Sequence, residues 1–373
     1  MKIALVHDFL REYGGAERVV EALHEIWPEA PLYTSFIDWN ALGDHGARFK
    51  NWDIRTSWVQ HNWLVKKFHS PLRFLAPKIW ESFDLSGYDA VISSSGWFMC
   101  RGVIVKKPAV HVCYIHHPPR NLYGYATGSD LQKYWPVRLY ATIINFFLRH
   151  YDFETAQRVD YFVANSKETA RRVKKFYRRD STVIYPPVDV TRDNGQGTRD
   201  KKEYFLSVGR LTFAKRVDLA IAACNKLKLP LKIVGKGKEE ASLRSIAGPT
   251  IEFVGGVSDS ELAQLYAGAK AFLFSALDED FGMVPVEAMA HGVPVIALAQ
   301  GGVLETVVNG KTGILFYEPT VESVVLAIKK FYKDYKNYNF YTECKRQAKK
   351  FSKSRFKKEL EDFVEQKTLH ETS

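Results

Sequence analysis

The stretch Ala271–Leu298, AFLFSALDEDFGMVPVEAMAHGVPVIAL, holds an apolar run, a charged turn, a short helical pattern and a second apolar run, in that order. AFLFSA and PVIAL are short apolar segments of the kind that form buried strands. Pro285 and Gly292 read as the opening and closing residues of a helix between them. Strands joined through a helix run parallel, so the stretch is one repeat of a parallel sheet covered by helices. Its turn carries Asp278, Glu279 and Asp280, while Glu287 falls in the first turns of the helix. Open parallel sheets bind ligands beyond the carboxyl ends of their strands, which puts this turn where chemistry is expected.

The same alternation extends along nearly the whole chain. In the first half, strands are expected at KIALVH, PLYTSF, DAVISSS, AVHVCYIH, DYFVANS and STVIYPP, with helices over Glu17–Trp27, about Pro136–Arg158 and Lys167–Tyr177. In the second half they are expected at YFLSVG, LKIVG, IEFVGG, AFLFSA, PVIAL and GILF. A chain of 373 residues with 46% hydrophobic content exceeds what one core usually serves. The expected organisation is therefore α/β, with two Rossmann-like doubly wound domains over 1–187 and 188–345. A C-terminal helix over 346–373 packs back toward the first domain through Phe356, Leu360 and Phe363. The Pro-, Gly- and Asp-rich segment Pro186–Tyr204 reads as the join.

Composition removes several classes of function. The N-terminal MKIALVHDFL turns polar at His7 and Asp8, which suits a first strand and not a secretion signal. No run approaches the roughly 18 apolar residues of a membrane-spanning helix. Cys100, Cys113, Cys224 and Cys344 are scattered without a CxxC pair, as expected of reduced thiols in a cytoplasmic protein. The net charge of +11 is uneven, with basic clusters at Lys167–Arg179 and Lys345–Lys358. Each cluster by itself is a solvated helix face; together they suit an anionic partner, either a phospholipid surface or a diphosphate-bearing substrate. Nucleic acid is not an expected partner, because no recognition motif is present. Trp58–Trp80 mixes Trp, Phe and Leu with Lys and Arg, and fits an interfacial or lipid-acceptor face at the inner surface of a membrane, or equally loosely packed helices over a domain edge.

Four groups of strand-end residues carry the candidate chemistry. Gly14 and Gly15 precede a helix whose free N–H groups suit a phosphate, and their spacing is not the GxGxxG of a nicotinamide dinucleotide site. Arg210 and Lys215 lie in the loop after YFLSVG, where a guanidinium fork and an ammonium can neutralise a diphosphate. Gly235 and Val254 sit at strand ends where a flat nucleobase can approach the backbone, and Asp259 reads as a helix N-terminal residue. Glu279 and Glu287 divide between loop and helix, which is not how a glycosidase sets two carboxyls across a scissile bond.

Several strings occur together in one order: YIHHPPR, VANSKETARRV, YPPVD, GRLTFAKR, EDFGMVPVE and GGVLETVVNGKTGILF. This set resembles the retaining nucleotide-sugar glycosyltransferases of the GT-B fold with an E-x7-E motif, a family that includes sucrose synthase-like and lipopolysaccharide mannosyl- and glucosyltransferases. The resemblance spans about Met1 to Phe316, and HHPPR is most like bacterial mannosyltransferases of surface-polysaccharide assembly. It implies two Rossmann-like domains facing across a cleft, 1–187 to bind the acceptor and 188–345 to bind the nucleotide sugar. The donor diphosphate is then held by Gly14, Gly15, Arg210 and Lys215, the ribose by Glu287, and the sugar by Glu279 with the amides of Phe281, Gly282, Met283 and Val284. His116 would lie near the donor sugar, with His117 as the alternative; Gly301, Gly302 and Glu305 would serve the phosphate region or simply start a helix. His7 and Asp8 would cap a turn.

The implied reaction moves a hexose, mannose from GDP-mannose first and a UDP-hexose second, to a glycan or polyprenyl-diphosphate-linked acceptor. The catalytic residues are then Glu279, Lys215, Arg210 and His116. No cofactor beyond the nucleotide sugar is expected. The carboxylates Asp278, Glu279 and Asp280 could hold a hard cation, but Arg210 and Lys215 already bring the charge, and the resembling family is generally metal-independent. The competing readings are a non-catalytic nucleotide-sugar-binding protein, a pyridoxal-phosphate phosphorylase, for which the chain is short, and a dehydrogenase, which the glycine spacing disfavours.

Overall fold

Strand burial explains the architecture. In a computed structural model describing residues 1–127, 134–190, 203–335 and 339–371, the strands β1 (Ile3–His7), β4 (Ala90–Ser95) and β5 (Val110–Ile115) are buried at every position. Strands covered on both faces pair in parallel under helices. With β2 (Leu32–Thr34), β3 (Ile54–Thr56), β6 (Tyr161–Ala164) and β7 (Thr182–Val183) they form a seven-stranded sheet in the order β3-β2-β1-β4-β5-β6-β7. Every pairing in it is parallel. Its register aligns Leu32, Leu5, Ile92 and Val112 in one row across four strands, and all four are buried in one cluster.

The second sheet is built the same way. It comprises β8 (Tyr204–Val208), β9 (Leu231–Val234), β10 (Ile251–Gly255), β11 (Ala269–Phe274), β12 (Val295–Leu298) and β13 (Gly313–Phe316), in the order β10-β9-β8-β11-β12-β13 and all parallel. All six expected second-half strands form. In the first sheet β3 is additional: Ile54–Thr56 is a three-residue edge strand with a polar centre, too short for a periodic signal.

Helix ends follow local chemistry. Helix Lys167–Tyr177 has the expected bounds, capped where the Ser166 side chain accepts from the Thr169 amide. Helix Gly15–Ile26 begins two residues before the expected Glu17, because the Glu17 carboxylate reaches back to accept the Gly14 amide at 2.8 Å and holds the first turn.

The chain forms two units. One comprises Met1–Tyr125, Leu131–Pro187 and Ser354–Ser373; the other comprises Ala126–Asp130 and Val188–Lys353. The expected C-terminal helix over 346–373 needs correction. Helix Phe340–Ala348 and the turn Lys349–Phe351 still belong to the second unit, where the Phe351 ring packs on Phe281 at 5.4 Å. The return helix is Lys353–Glu371, and it buries Phe356, Leu360 and Val364 in the first unit's core, with Phe363 packed at the edge. Phe363 packs against this core as expected, and Val364, one residue on, is the fully buried neighbour. Most of the expected join, residues 191–202, lies outside the described residues.

In both sheets the strand order reverses once, between β1 and β4 and between β8 and β11. Loops leave such a point in opposite directions and open a crevice between them.

Candidate active site

In the second unit, two loops meet at the reversal point. Gly209–Arg216 follows β8 and Ser275–Gly282 follows β11. They are stitched together: the Leu277 amide donates to the Ala214 carbonyl at 2.8 Å, and the Ser275 hydroxyl to the Arg216 carbonyl at 2.7 Å. This sets Lys215 Nζ 2.7 Å from Glu279 Oε2, with the ammonium 5.4 Å from the centre of the Phe274 ring. Arg210, exposed, lies in the same turn as Lys215. Four of the expected residues are thus on adjoining loops: Arg210, Lys215, Glu279 and, in the following helix, Glu287.

That helix is Met283–Ala290, so it starts two residues earlier than the expected opening at Pro285. Gly282, at φ 86°, is the left-handed residue that turns the chain into it, and Pro285 still falls in the first turn, where its missing N–H costs nothing. The amide groups of Met283 and Val284 are among the unpaired donors of a helix N-terminus, with Phe281 buried behind them. Glu287 lies one turn further on.

Gly301 and Gly302 shape this loop rather than merely flank it. A Cβ on Gly301 would stand 2.1 Å from the Glu279 carbonyl oxygen, and one on Gly302 would stand 2.4 Å from Phe281 Cα. The Gly302 amide donates to that same Glu279 carbonyl at 2.9 Å. The backbone presenting Glu279 is therefore held by a pair that tolerates no side chain. Gly235 has a comparable role: a Cβ there would sit 1.9 Å from the Gly209 carbonyl oxygen, so its close approach is to the turn before Arg210. Val254 lies within β10, next to the strand end Gly255. Of the three carboxylates at 278–280, Glu279 pairs with Lys215, Asp278 contacts Gln300, and Asp280 is buried. Among the described residues no three His, Cys, Asp or Glu side chains are arranged to hold a metal ion.

In the first unit, the reversal point holds a buried polar chain. Glu17 Oε2 accepts the Gly14 amide at 2.8 Å, and Glu17 Oε1 lies 3.5 Å from His7 Nε2. His7 Nδ1 is 3.1 Å from the Ser94 carbonyl and 3.3 Å from its hydroxyl, and Ser94 Oγ is 2.7 Å from His116 Nε2. Burial alone would depress the His7 pKa, but hydrogen bonding and charge from Glu17, with Asp8 and the Ser94 carbonyl, outweigh it and hold it above the ordinary value. His7 thus favours the imidazolium that faces an acceptor on each side. Its Nδ1–H turned to Ser94 leaves the Ser94 hydroxyl proton for His116 Nε2.

The backbone of His116 is held as firmly as its ring. Its carbonyl accepts from Asn165 Nδ2 at 2.9 Å and from Thr169 Oγ1 at 3.3 Å, which gives the VANSKET motif a concrete job. His117 instead turns Nδ1 to the Pro118 carbonyl at 3.0 Å. Asp8 does cap a turn: its carboxylate accepts the amides of Gly96, Phe98 and Cys100 at 2.9–3.0 Å. Gly14 and Gly15 start their helix as expected, with the Gly14 amide engaged by Glu17.

Glu17 and Ser94 were not among the expected site residues. Glu17, three residues past Gly14, has the spacing at which a carboxylate reaches back to the amide that precedes a helix, and that spacing is visible in the sequence. Ser94 could not, since its neighbours Ser93 and Ser95 look identical in sequence and only the pleat selects which one meets His116.

Residues 13–192 match the family described as Glycosyltransferase Family 4, and residues 191–351 match Glycosyl transferases group 1. The two matches adjoin and together span residues 13–351, so the chain is similar along most of its length to these two glycosyltransferase families, and its two parallel-sheet Rossmann-like domains have the GT-B fold. A GDP-mannose-dependent alpha-mannosyltransferase of Mycobacterium tuberculosis is 40% identical over 29% of this chain and 28% of its own length. The alpha-1,3/1,6-mannosyltransferase alg2 of Schizosaccharomyces pombe is 24% identical over 84% of this chain and 70% of its own. Across other curated relatives the matched segments span 26–43% of those proteins' length. The Anabaena protein HepE, solved in complex with UDP-glucose, superposes with a TM-score of 0.70 over 98% of this chain and 100% of its own at 17% identity, a likeness of fold.

Proposed function

We propose that the chain transfers a hexosyl residue from a nucleoside diphosphate sugar to a hydroxyl of a glycan or polyprenyl-diphosphate-linked acceptor, with retention of configuration. The observation that carries this reading is the Lys215–Glu279 pair at 2.7 Å on the two loops of a reversal point, with Arg210 in the same turn. An ammonium and a guanidinium there suit the diphosphate of a donor. Fixed positive charge on a departing phosphate stabilises the transition state in which the sugar–phosphate bond breaks.

The residues take distinct roles. Arg210 and Lys215 neutralise the leaving diphosphate without needing a metal or other cofactor. Glu279 holds sugar hydroxyls together with the amides of Met283 and Val284, Glu287 holds the ribose, and the strand-end backbone at Gly235 and Val254 flanks the base. His116 orients a hydroxyl of the sugar. The acceptor oxygen bonds to the anomeric carbon on the face that the diphosphate leaves, and a phosphate oxygen of the leaving group takes the acceptor's proton. Atoms balance as glycoside plus nucleoside diphosphate.

The donor read here is GDP-mannose, supported by the mannosyltransferases among the relatives. UDP-glucose is the second reading, favoured by the ligand of HepE. Thermal unfolding with GDP, UDP and ADP in parallel separates them, because a ligand of the folded state raises Tm by mass action, worth about 2.7 kcal/mol at a hundred times Kd. GDP is expected to give the largest shift. No shift from any of the three would overturn the reading of a nucleotide-sugar site.

A further inference from the structure

The long helix of the first unit is buried along one side, and over its first half the opposite, exposed side is apolar as well. On Trp135–Arg158, the residues Ala141, Asn145, Leu148 and Asp152 point inward and are buried. With 3.6 residues per turn, Trp135, Leu139, Ile143, Phe146 and Phe147 lie on the opposite side. Trp135 is 69% exposed, Phe146 66% and Phe147 64%. Over Trp135–Phe147 this side carries no charge, where a helix serving only a soluble core would, and the exposed His150–Glu154 pair follows only further along.

A second element extends the same surface. The segment Trp58–Trp80 packs beside this helix: the Tyr140 hydroxyl donates to the Pro71 carbonyl, and Arg73 Nη2 donates to Asn145 Oδ1 at 2.6 Å. Val65, Ala76 and Ile79 share one buried cluster with Leu148 and Tyr151. Outside that cluster, Trp63 is 71% exposed, and Leu64, Phe68 and Phe74 are exposed as well. Residues 57–80 and 134–151 together contain Lys66, Lys67, Arg73, Lys78, Arg138 and Arg149, with no Asp or Glu at all. These two segments supply six of the chain's eleven net positive charges.

We infer that this aromatic and basic face of the first unit docks on an anionic phospholipid surface, lying in the headgroup region. Apolar and aromatic side chains interleaved with Lys and Arg suit that boundary, where rings reach the acyl chains and cations stay with phosphates. Among the described residues no helix is long and apolar enough to cross a membrane, so the face lies on the bilayer and does not span it. Two copies of the chain meeting through this face around a two-fold axis would set like charges against each other, which disfavours self-association. The inference is independent of the donor and of the transfer reaction.

The test is sedimentation of the full chain with vesicles of phosphatidylcholine alone and of phosphatidylcholine mixed with phosphatidylglycerol, without any nucleotide. The chain is expected to pellet with the mixed vesicles and to release progressively as salt rises. The variant K67Q/K78Q/R138Q is expected to lower the partition about a hundred-fold, at about five-fold for each basic residue near the surface. The variant W63S/F146S/F147S is expected to abolish the binding that persists at high salt, while unfolding at the temperature of the parent, since all three side chains are exposed. Equal binding to neutral and mixed vesicles, or full binding by the charge variant, would overturn the inference. So would a chain that ignores both vesicles but forms a dimer lost in the aromatic variant, which would make the face a contact between copies.

Discussion

Replacing Lys215 by alanine separates the role of this side chain in folding from its role in chemistry. In the fold, Lys215 contributes one partly exposed ion pair, at 2.7 Å from Glu279, and one ring contact to Phe274 at 5.4 Å. A partly exposed pair is worth up to about 1 kcal/mol and a cation over a ring about as much. Unfolding should therefore shift by about 1–2 kcal/mol, or roughly 2–8 °C for a unit of this size. In the reaction, losing one fixed donor to the leaving group should cost about 2.7–4 kcal/mol of barrier, a fall of roughly 100- to 1,000-fold in turnover. Nucleoside diphosphate affinity should fall about 10- to 100-fold, the worth of a charge-assisted hydrogen bond. Glu279→Gln gives the contrast, because it frees Lys215 from its partner: diphosphate affinity should hold or tighten while turnover falls. Calorimetric titration of the nucleoside diphosphate, single-turnover consumption of donor and thermal unfolding measure the three quantities. Turnover of Lys215→Ala within a few-fold of the parent would refute the reasoning, as would equal loss of diphosphate affinity in both variants.

Two further predictions concern the first unit. Ser94→Ala cuts the link between His7 and His116, so kcat should fall about five- to ten-fold for one lost hydrogen bond, with KM for the donor little changed. An unchanged kcat in Ser94→Ala would mean that Ser94 only packs. His111 is buried with Nε2 2.9 Å from the Ser93 hydroxyl, and burial depresses its pKa to about 4, against an opposing pull from Asp160. The unfolded chain, with an imidazole near 6.5, then binds the extra proton between those values, so stability is full above about pH 6.5 and falls by up to about 3 kcal/mol toward pH 4. His7 acts with the opposite sign, since its raised pKa adds stability below the unfolded value that is lost as pH rises through the folded one. Urea unfolding across this range should show a shallower acid slope in His111→Gln, and an unchanged slope would rule out the buried neutral imidazole.

Much of this molecule is legible because its strands are buried on both faces. Continuous apolar runs such as IALVH and AFLF have few other places to go than the middle of a covered parallel sheet, and the loops after them inherit a position by topology. The short edge strand Ile54–Thr56 escaped notice because an edge makes little demand on its residues. The helix at Met283 began early because a left-handed Gly282 sets its start, and Pro285 was taken for the opening when it is only compatible with the first turn.

The candidate site divides along the same physical line. Residue type and strand-end position marked Arg210, Lys215, Glu279, Glu287 and His116, because charge and loop placement are local properties that a sequence displays. Tertiary structure alone decided that Lys215 meets Glu279, that Gly301 and Gly302 press on the backbone behind Glu279, and that Ser94, not its serine neighbours, joins His7 to His116. Those pairings bring together residues 64, 22 and 87 positions apart. Contacts of that range depend on the register between strands and the pleat of each, and neither is written in the residues that make the contact.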